Sequence, residues 1–257
     1  ILKEEPIPLN IVYEDDFLMV INKPPNMVVH PGVGNFSGTL LNGVAYYLRQ
    51  QNPQLNEESL PRFGLVHRID KNTTGLIVLA KTGEAAAHLA KQFFNHTVNR
   101  RYIALVWGNI QEEDGTINAH IARHKQHRKM FDAYPEGDTG KHAITHSKVL
   151  ERFNYVTLVE CELETGRTHQ IRVHMKHIGH TLFNDAEYGG DKILKGTIYS
   201  RYKQFVENCF EACPRCALHA RTLGFIHPNT GKEIFFESPM PADMEAAIDK
   251  WRQYSKV

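Results

Sequence analysis

The segment HRIDKNTTGLIVLAK, residues 67–81, places charged and turn-forming residues directly before an apolar run that is typical of a β-strand. Asp70 lies in the charged part, and Gly75 comes just before the apolar run. A carboxylate on a loop beside a strand is held in position yet stays reachable, as a nucleophile or a proton acceptor must be. The segment therefore predicts a strand and, next to it, a functional role for Asp70.

The pattern of apolar residues on either side of this segment predicts an α+β chain. Helical spacing predicts helices over 83–94 and 169–178, and a final helix that buries Met244, Ile248 and Trp251. β-prone runs predict strands at 17–22, 27–30, 102–107, 155–163, 217–226 and 233–237. Segments 32–38 and 50–61 are predicted to be loops. Few helices beside many hairpin-linked strands favour an antiparallel or mixed sheet over a doubly wound parallel one.

Composition bounds the class of protein. The chain has 257 residues, of which 42% are hydrophobic and 23% charged, which is enough to bury a substantial core. No apolar run approaches the roughly 20 residues that span a bilayer, so we expect a cytoplasmic protein without membrane contact. Residues 1–11 contain EEPIP and are expected to be an exposed linker, followed by one domain over 12–257.

Three blocks carry a resemblance to a known family. HRIDKNTTGLIVLAK closely resembles the signature of the RluA family of pseudouridine synthases, and RYIA at 101–104 and GRTHQIRVH at 166–174 match two further blocks in the same order. The resemblance, over about residues 12–244, implies the pseudouridine synthase fold, a bent sheet whose two halves flank a catalytic cleft. It also implies isomerisation of uridine in RNA, without cofactor or metal. In many relatives an RNA-binding S4 domain precedes such a linker.

The resemblance also implies three catalytic residues. Asp70 stands at the position of the essential aspartate, and Tyr102 at that of an active-site tyrosine that can stack on uracil and move a proton. A buried carboxylate needs a cationic neighbour to stay ionised, and the resemblance implies Arg167 for that role, with Arg172 as a second choice. A surface ion pair for Arg167 and a core position for Tyr102 are the plainer interpretations.

Substrate contacts are expected from the signature loop and from a basic segment. Arg68 would fill the gap left by an extruded uridine or contact a phosphate. Because the net charge is only +1, phosphate binding must come from local basic patches, and RHKQHRK at 123–129 is such a patch. The alternative interpretation of this segment is a solvated run of charges without a binding role. Asn99-Arg100-Arg101 adds cations beside an aromatic residue. The predicted substrate-binding residues are His67, Arg68, Thr73, Thr74, Arg123, Lys125, Arg128, Lys129 and Arg172.

The cysteines raise a metal alternative. Cys209, Cys213 and Cys216 have the CxxxCxxC spacing of iron–sulfur sites in radical enzymes, but they lie late in a strand-rich chain without a glycine-rich cofactor loop. Zinc bound by these three with His219 or Cys161 is a further alternative. We predict reduced thiols and no metal, as in a cytoplasmic protein. HExxH, the metallohydrolase motif, is absent from the sequence.

The substrate is expected to be large-subunit ribosomal RNA, because the basic stretch and the start of the chain are most similar to that branch of the family. Transfer RNA is the alternative, since specificity depends on loop shape and outlying domains. A non-catalytic RNA-binding protein that kept the fold is another, although Asp70 would then repel phosphates without serving chemistry. We expect a monomer.

Overall fold

The computed structural model describes residues 2–256, which form two compact units. Of the described residues, unit 1 comprises 2–100 and Ala220–Ser238, and unit 2 comprises Arg101–His219 and 239–256. In chain order the elements are β1 (Ile11–Glu14), β2 (Leu18–Lys23), α1 (Leu40–Gln51), β3 (Thr74–Ala80), α2 (Gly83–Phe94), β4 (Asn99–Trp107), β5 (Asp114–Asn118), β6 (His120–Arg123), β7 (Phe131–Tyr134), β8 (Ile144–Arg152), β9 (Val156–Leu163), α3 (Gln170–His177), α4 (Ser200–Ala212), β10 (Leu218–Ile226), β11 (Glu233–Glu237) and α5 (Ala242–Ser255). Short 3-10 helices lie at Pro61–Gly64 and Ala186–Tyr188.

Unit 1 is built on the strand that the signature predicts. β3 is buried along its whole length and pairs antiparallel with β2, so that Leu18 lies opposite Ala80. β2 also pairs antiparallel with β1, and β10 forms an antiparallel hairpin with β11. Because both faces of β3 are covered, its run of β-branched and aliphatic residues is continuous instead of alternating. Helix α2 begins at the predicted residue, where the Thr82 hydroxyl accepts the Ala85 N–H at 3.1 Å.

Unit 2 contains the antiparallel strand order β4-β9-β8-β5 and a separate β6-β7 hairpin. An aromatic core lies under α4 and α5, centred on Trp107, Phe183, Tyr202 and Trp251. Two edge-to-face contacts organise it, with the ring of Trp251 lying 6.1 Å from Trp107 and 5.9 Å from Phe183. These aromatic groups bury large areas, which makes α4 and α5 part of the core of this unit.

The predicted α+β class and most predicted elements are confirmed. The prediction of a strand at Met27–His30 is wrong, since this segment is irregular and is held by hydrogen bonds to the backbone of other segments. Helices α1 and α4 were not predicted, and α1 extends two residues into the predicted loop at 50–61. Between residues 2 and 256, no helix combines the length and the apolar character needed to cross a bilayer.

The first residues of the chain contact helix α1. The Asn42 side chain donates to the Lys3 carbonyl at 2.7 Å, and the Asn42 carbonyl accepts the Glu5 N–H at 3.1 Å. Arg49 pairs with Glu4 at 2.9 Å. The expected linker is thus held along α1 within unit 1, and an RNA-binding domain before it stays a prediction.

Candidate active site

The loop that carries Asp70 is fixed where it meets strand β3. Before the loop, Leu65 forms a backbone bridge with Leu79, and the Val78 N–H donates to His67 Nε2 at 3.0 Å. Within the loop, the Asp70 carbonyl accepts the Thr73 N–H at 3.1 Å and closes a turn. Asp70 itself is half-buried. The carboxylate therefore lies on a constrained loop next to a buried strand, as the sequence predicts.

A buried lysine ties this loop to a second segment of unit 1. Lys23, which is 1% exposed, donates from Nζ to the carbonyl oxygens of Pro24 at 2.8 Å, Met27 at 3.0 Å and Lys71 at 2.9 Å. The Lys71 carbonyl also accepts the Met27 N–H at 3.1 Å. Since Lys71 follows Asp70 directly, the ammonium group restrains the backbone of the candidate catalytic residue. Sequence reasoning missed Lys23, whose only signal was a lysine at the end of an apolar strand.

Gly75 permits the close approach of a neighbouring strand. Its φ is +116°, and a Cβ at this position would lie 2.1 Å from the carbonyl oxygen of Ala220. Any side chain would therefore clash with backbone and occupy a conformation that L-residues rarely adopt. A glycine is therefore required where the loop that carries Asp70 enters β3.

His67 supports the loop as a neutral ring. It stacks on Phe93 with ring centroids 4.3 Å apart, and the Arg100 guanidinium lies 5.3 Å from the centre of the same Phe93 ring. Burial, together with the positive charge of Arg100, lowers the pKa of His67 to about 3. The ring is thus uncharged at neutral pH and can accept the Val78 N–H. Contact of His67 with substrate stays a prediction, whereas its structural contacts are established.

The other loop residues differ in exposure. Arg68 is exposed and available to a ligand, whereas the Thr73 and Thr74 side chains are 2% and 4% exposed. The Thr73 N–H closes the turn at Asp70, and Thr74 is the first residue of β3. Contact of either side chain with substrate stays a prediction, as it does for Arg68.

The two remaining candidate catalytic residues belong to unit 2. Tyr102 is 7% exposed on β4, opposite Cys161 of β9. Arg167 is partly buried just before α3, where its Nε donates to the His142 carbonyl at 2.7 Å. Burial lowers the pKa of this guanidinium from its ordinary value. Because Asp70 belongs to unit 1, the joint action of the three residues stays a prediction.

Gln170 holds the backbone around Arg167. Its Oε1 accepts the Arg167 N–H at 3.0 Å and the Thr165 hydroxyl at 2.7 Å. Its Nε2 donates to the Ile144 carbonyl at 3.0 Å and the Thr145 hydroxyl at 2.9 Å. All polar atoms of this buried amide are therefore used, and they hold the backbone N–H of Arg167 in place.

Arg172 is an internal anchor. It is 5% exposed and forms a two-pronged pair with Asp185 at 2.8 and 2.9 Å, with a further contact to Glu187 at 2.6 Å. Its guanidinium also lies 4.8 Å from the centre of the Tyr188 ring. A planar guanidinium suits such a bidentate pair. These contacts commit Arg172 to carboxylates of its own unit, which argues against the predicted roles beside Asp70 or on substrate.

The basic segment forms the tip of the β6-β7 hairpin. Arg123 donates to the Arg128 carbonyl at 2.7 Å and lies 5.2 Å from the Phe131 ring centre. Lys125 lies 5.5 Å from the Tyr134 ring centre, and Lys129 is exposed. All four predicted basic residues, Arg123, Lys125, Arg128 and Lys129, are exposed. Their binding of phosphate stays a prediction.

The two arginines before Tyr102 do not form the expected basic patch. Arg100 is 7% exposed and packs on Phe93, and Arg101 pairs with Glu162 at 2.8 Å. Alternation along β4 sends neighbouring side chains to opposite faces, so adjacent arginines in the sequence do not share a surface. The prediction of added cations here is wrong for Arg100, because its guanidinium is buried.

The cysteines are packing residues of unit 2. Cys209 and Cys213 belong to the aromatic core, and Cys161 lies on β9. Burial raises the pKa of each of these three thiols to about 12, which keeps them protonated. Across residues 2–256, histidine, cysteine and acidic side chains form no group of three that could hold a metal ion. The zinc and iron–sulfur alternatives therefore find no support in the geometry.

Comparison with known protein families finds a match over the region that contains the signature segment 67–81. The family described as RNA pseudouridylate synthase matches residues 17–177, which contain Asp70, Tyr102 and Arg167. The chain belongs to this family. It is therefore an isomerase that converts uridine in RNA to pseudouridine, as predicted.

Relatives and solved structures agree with this assignment. An uncharacterized RNA pseudouridine synthase of Chlorobaculum parvum is 45% identical over 98% of this chain and 76% of its own length. Ribosomal large subunit pseudouridine synthase D of Nitrosomonas europaea is 47% identical over 96% of this chain and 67% of its own length. Human RNA pseudouridylate synthase domain containing 4 has a TM-score of 0.70 at 22% identity, covering 95% of this chain and 93% of its own. The last similarity confirms the pseudouridine synthase fold.

Proposed function

We propose that this enzyme modifies specific uridines of large-subunit ribosomal RNA. The observation that carries the proposal is the similarity to ribosomal large subunit pseudouridine synthase D, at 47% identity in Nitrosomonas europaea and 44% in Pseudomonas aeruginosa, over 96% of the chain in each case. Since such RNA is made and assembled inside the cell, we propose a cytoplasmic enzyme. We also propose that it acts as a monomer.

We assign the carboxylate chemistry to Asp70. Pseudouridine formation breaks the C1′–N1 bond, turns the uracil and joins C1′ to C5 without loss of atoms. The reaction needs an ionised carboxylate that attacks C1′, adds to the base or takes a sugar proton. The constrained turn at Asp70 and the tether at Lys71 support this role, because a fixed nucleophile loses little orientational freedom on reaching the transition state.

We assign supporting roles to Tyr102 and Arg167. A tyrosine ring can stack on the displaced uracil, and its hydroxyl can handle the proton at C5. A guanidinium can hold a catalytic carboxylate ionised. The bonds from Gln170 to the backbone around Arg167 support a fixed position for that guanidinium. Arg68, exposed two residues before Asp70, would contact the strand from which the uridine is extruded.

The test is tritium release from ribosomal RNA labelled at uridine C5, with the enzyme and with Asp70→Asn. We expect release by the enzyme alone, and equal RNA affinity for both proteins. Release by Asp70→Asn would remove this carboxylate from the chemistry. Release from labelled transfer RNA but not from ribosomal RNA would refute the proposed substrate while leaving the reaction intact.

A further inference from the structure

An open hollow on unit 2 lies next to the basic hairpin tip. It has a volume of about 620 Å³ and is lined in part by His124, His127, Lys176, Lys192 and Glu187. Ligand sites in proteins commonly enclose roughly 300–1,000 Å³. The hollow shares His124 and His127 with the basic segment 123–129, so one continuous surface joins the two.

The charge of the hollow is positive at its rim. Lys176 and Lys192 are exposed, as is His127. The one carboxylate among the lining residues, that of Glu187, contacts Arg172 at 2.6 Å, but Arg172 also pairs with Asp185 and therefore balances only one of these two carboxylates. The charges of Lys176 and Lys192 together exceed the one carboxylate charge that remains, so the hollow keeps a net positive charge that attracts an anion.

The floor of the hollow is held by hydrogen bonds and ring contacts. Arg172 holds Asp185 through two hydrogen bonds and lies over the Tyr188 ring. The Tyr188 hydroxyl accepts the Phe131 N–H at 2.9 Å and is bonded to His169 at 2.6 Å. The Lys176 ammonium lies 5.8 Å from the centre of the same ring. The buried Arg172 is therefore explained as the support of this floor, and Lys176 projects from an ordered helix.

We propose that this hollow binds the phosphate backbone of the RNA substrate at nucleotides other than the target uridine, with Lys176 and Lys192 as the principal contacts. Lysine supplies a mobile point charge that suits phosphates, without the fork geometry that reads bases. An open basic surface that continues into the hairpin tip fits an extended strand better than a small anion. The inference rests on the proposed function, since it assumes an RNA substrate, and it names where that RNA is held.

The test compares Lys176→Ala/Lys192→Ala with Lys148→Ala/Lys250→Ala, a matched pair of exposed lysines that do not line the hollow. The probe is a transcript of large-subunit ribosomal RNA, and its Kd is measured by filter binding over a series of salt concentrations. We expect the first pair to raise Kd about tenfold and to lower the salt slope by about 2, one for each lost phosphate contact. The matched pair should stay within about twofold of the unchanged enzyme.

Two outcomes overturn the inference. One is an unchanged Kd and salt slope for Lys176→Ala/Lys192→Ala, and the other is an equal effect of the matched pair, which would indicate general charge. Tritium release by the unchanged enzyme is measured in parallel. If the unchanged enzyme releases tritium but Lys176→Ala/Lys192→Ala leaves Kd unaffected, the hollow is refuted as a binding site and the proposed reaction stands. If the double variant weakens binding but the unchanged enzyme releases no tritium, the proposed reaction on this RNA is refuted and the binding site stands.

Discussion

Lys23→Met tests whether a buried ammonium group holds the loop that carries Asp70. Methionine keeps an unbranched side chain that matches lysine out to Cε, but it removes the ammonium group and its three hydrogen bonds, to the carbonyls of Pro24, Met27 and Lys71. Hydrogen bonds to a charged group contribute roughly 1.5–3 kcal/mol each, and the desolvation of the ammonium offsets part of that sum. We therefore expect the free energy of unfolding to fall by about 2–4 kcal/mol.

The assay is urea unfolding followed by circular dichroism, with tritium release as the second readout. Lys91→Met, an exposed position on α2, is the control and should change stability by less than about 0.5 kcal/mol. Because Lys71 follows Asp70, the Lys23 variant should also lose about 100-fold in kcat/KM under conditions where it is fully folded. Equal stability of the two variants, with normal turnover in both, would refute the tether.

Three further predictions test the loop and its surroundings. Gly75→Ala should lower the free energy of unfolding by at least about 3 kcal/mol, because φ is positive and the new Cβ would lie 2.1 Å from a carbonyl oxygen. Gly231→Ala is the control, since its φ is +71° and its Cβ would meet open space, so that it measures the smaller cost of a positive φ. Equal losses of stability in urea unfolding would contradict the clash at Gly75. Since the pKa of His67 is lowered to about 3, the unfolded chain binds the extra proton between about pH 6.5 and 3, so stability should fall as pH falls through that window. His67→Gln, which keeps an acceptor, should flatten that part of the profile, and identical profiles would show that His67 does not titrate on unfolding. Lys129→Ala should weaken RNA binding and reduce the slope of its salt dependence by about 1. If Lys250→Ala has the same effect, the basic segment 123–129 is better interpreted as a solvated run of charges.

Local sequence patterns predicted much of the framework. The strand after Asp70, helix α2 and helix α3 could be located because apolar spacing and capping residues act over a few residues. Helix α4 carried a usable signal as well, since Tyr202, Val206 and Cys209 are spaced as one buried helical face. The cysteine spacing in the same segment suggested a metal site, whereas the thiols fill an aromatic core.

Some features of the candidate site were determined by the sequence alone, and others only by the tertiary structure. The sequence determined that Asp70 stands on a turn beside a buried strand, because the residues that form the turn and the strand are contiguous. Only the tertiary structure decided that Lys23 restrains Lys71, 48 positions away, and that Arg172 is buried against Asp185. A charged residue has the same local pattern whether its side chain meets solvent or a distant carbonyl, so its partner is known only once the chain has folded.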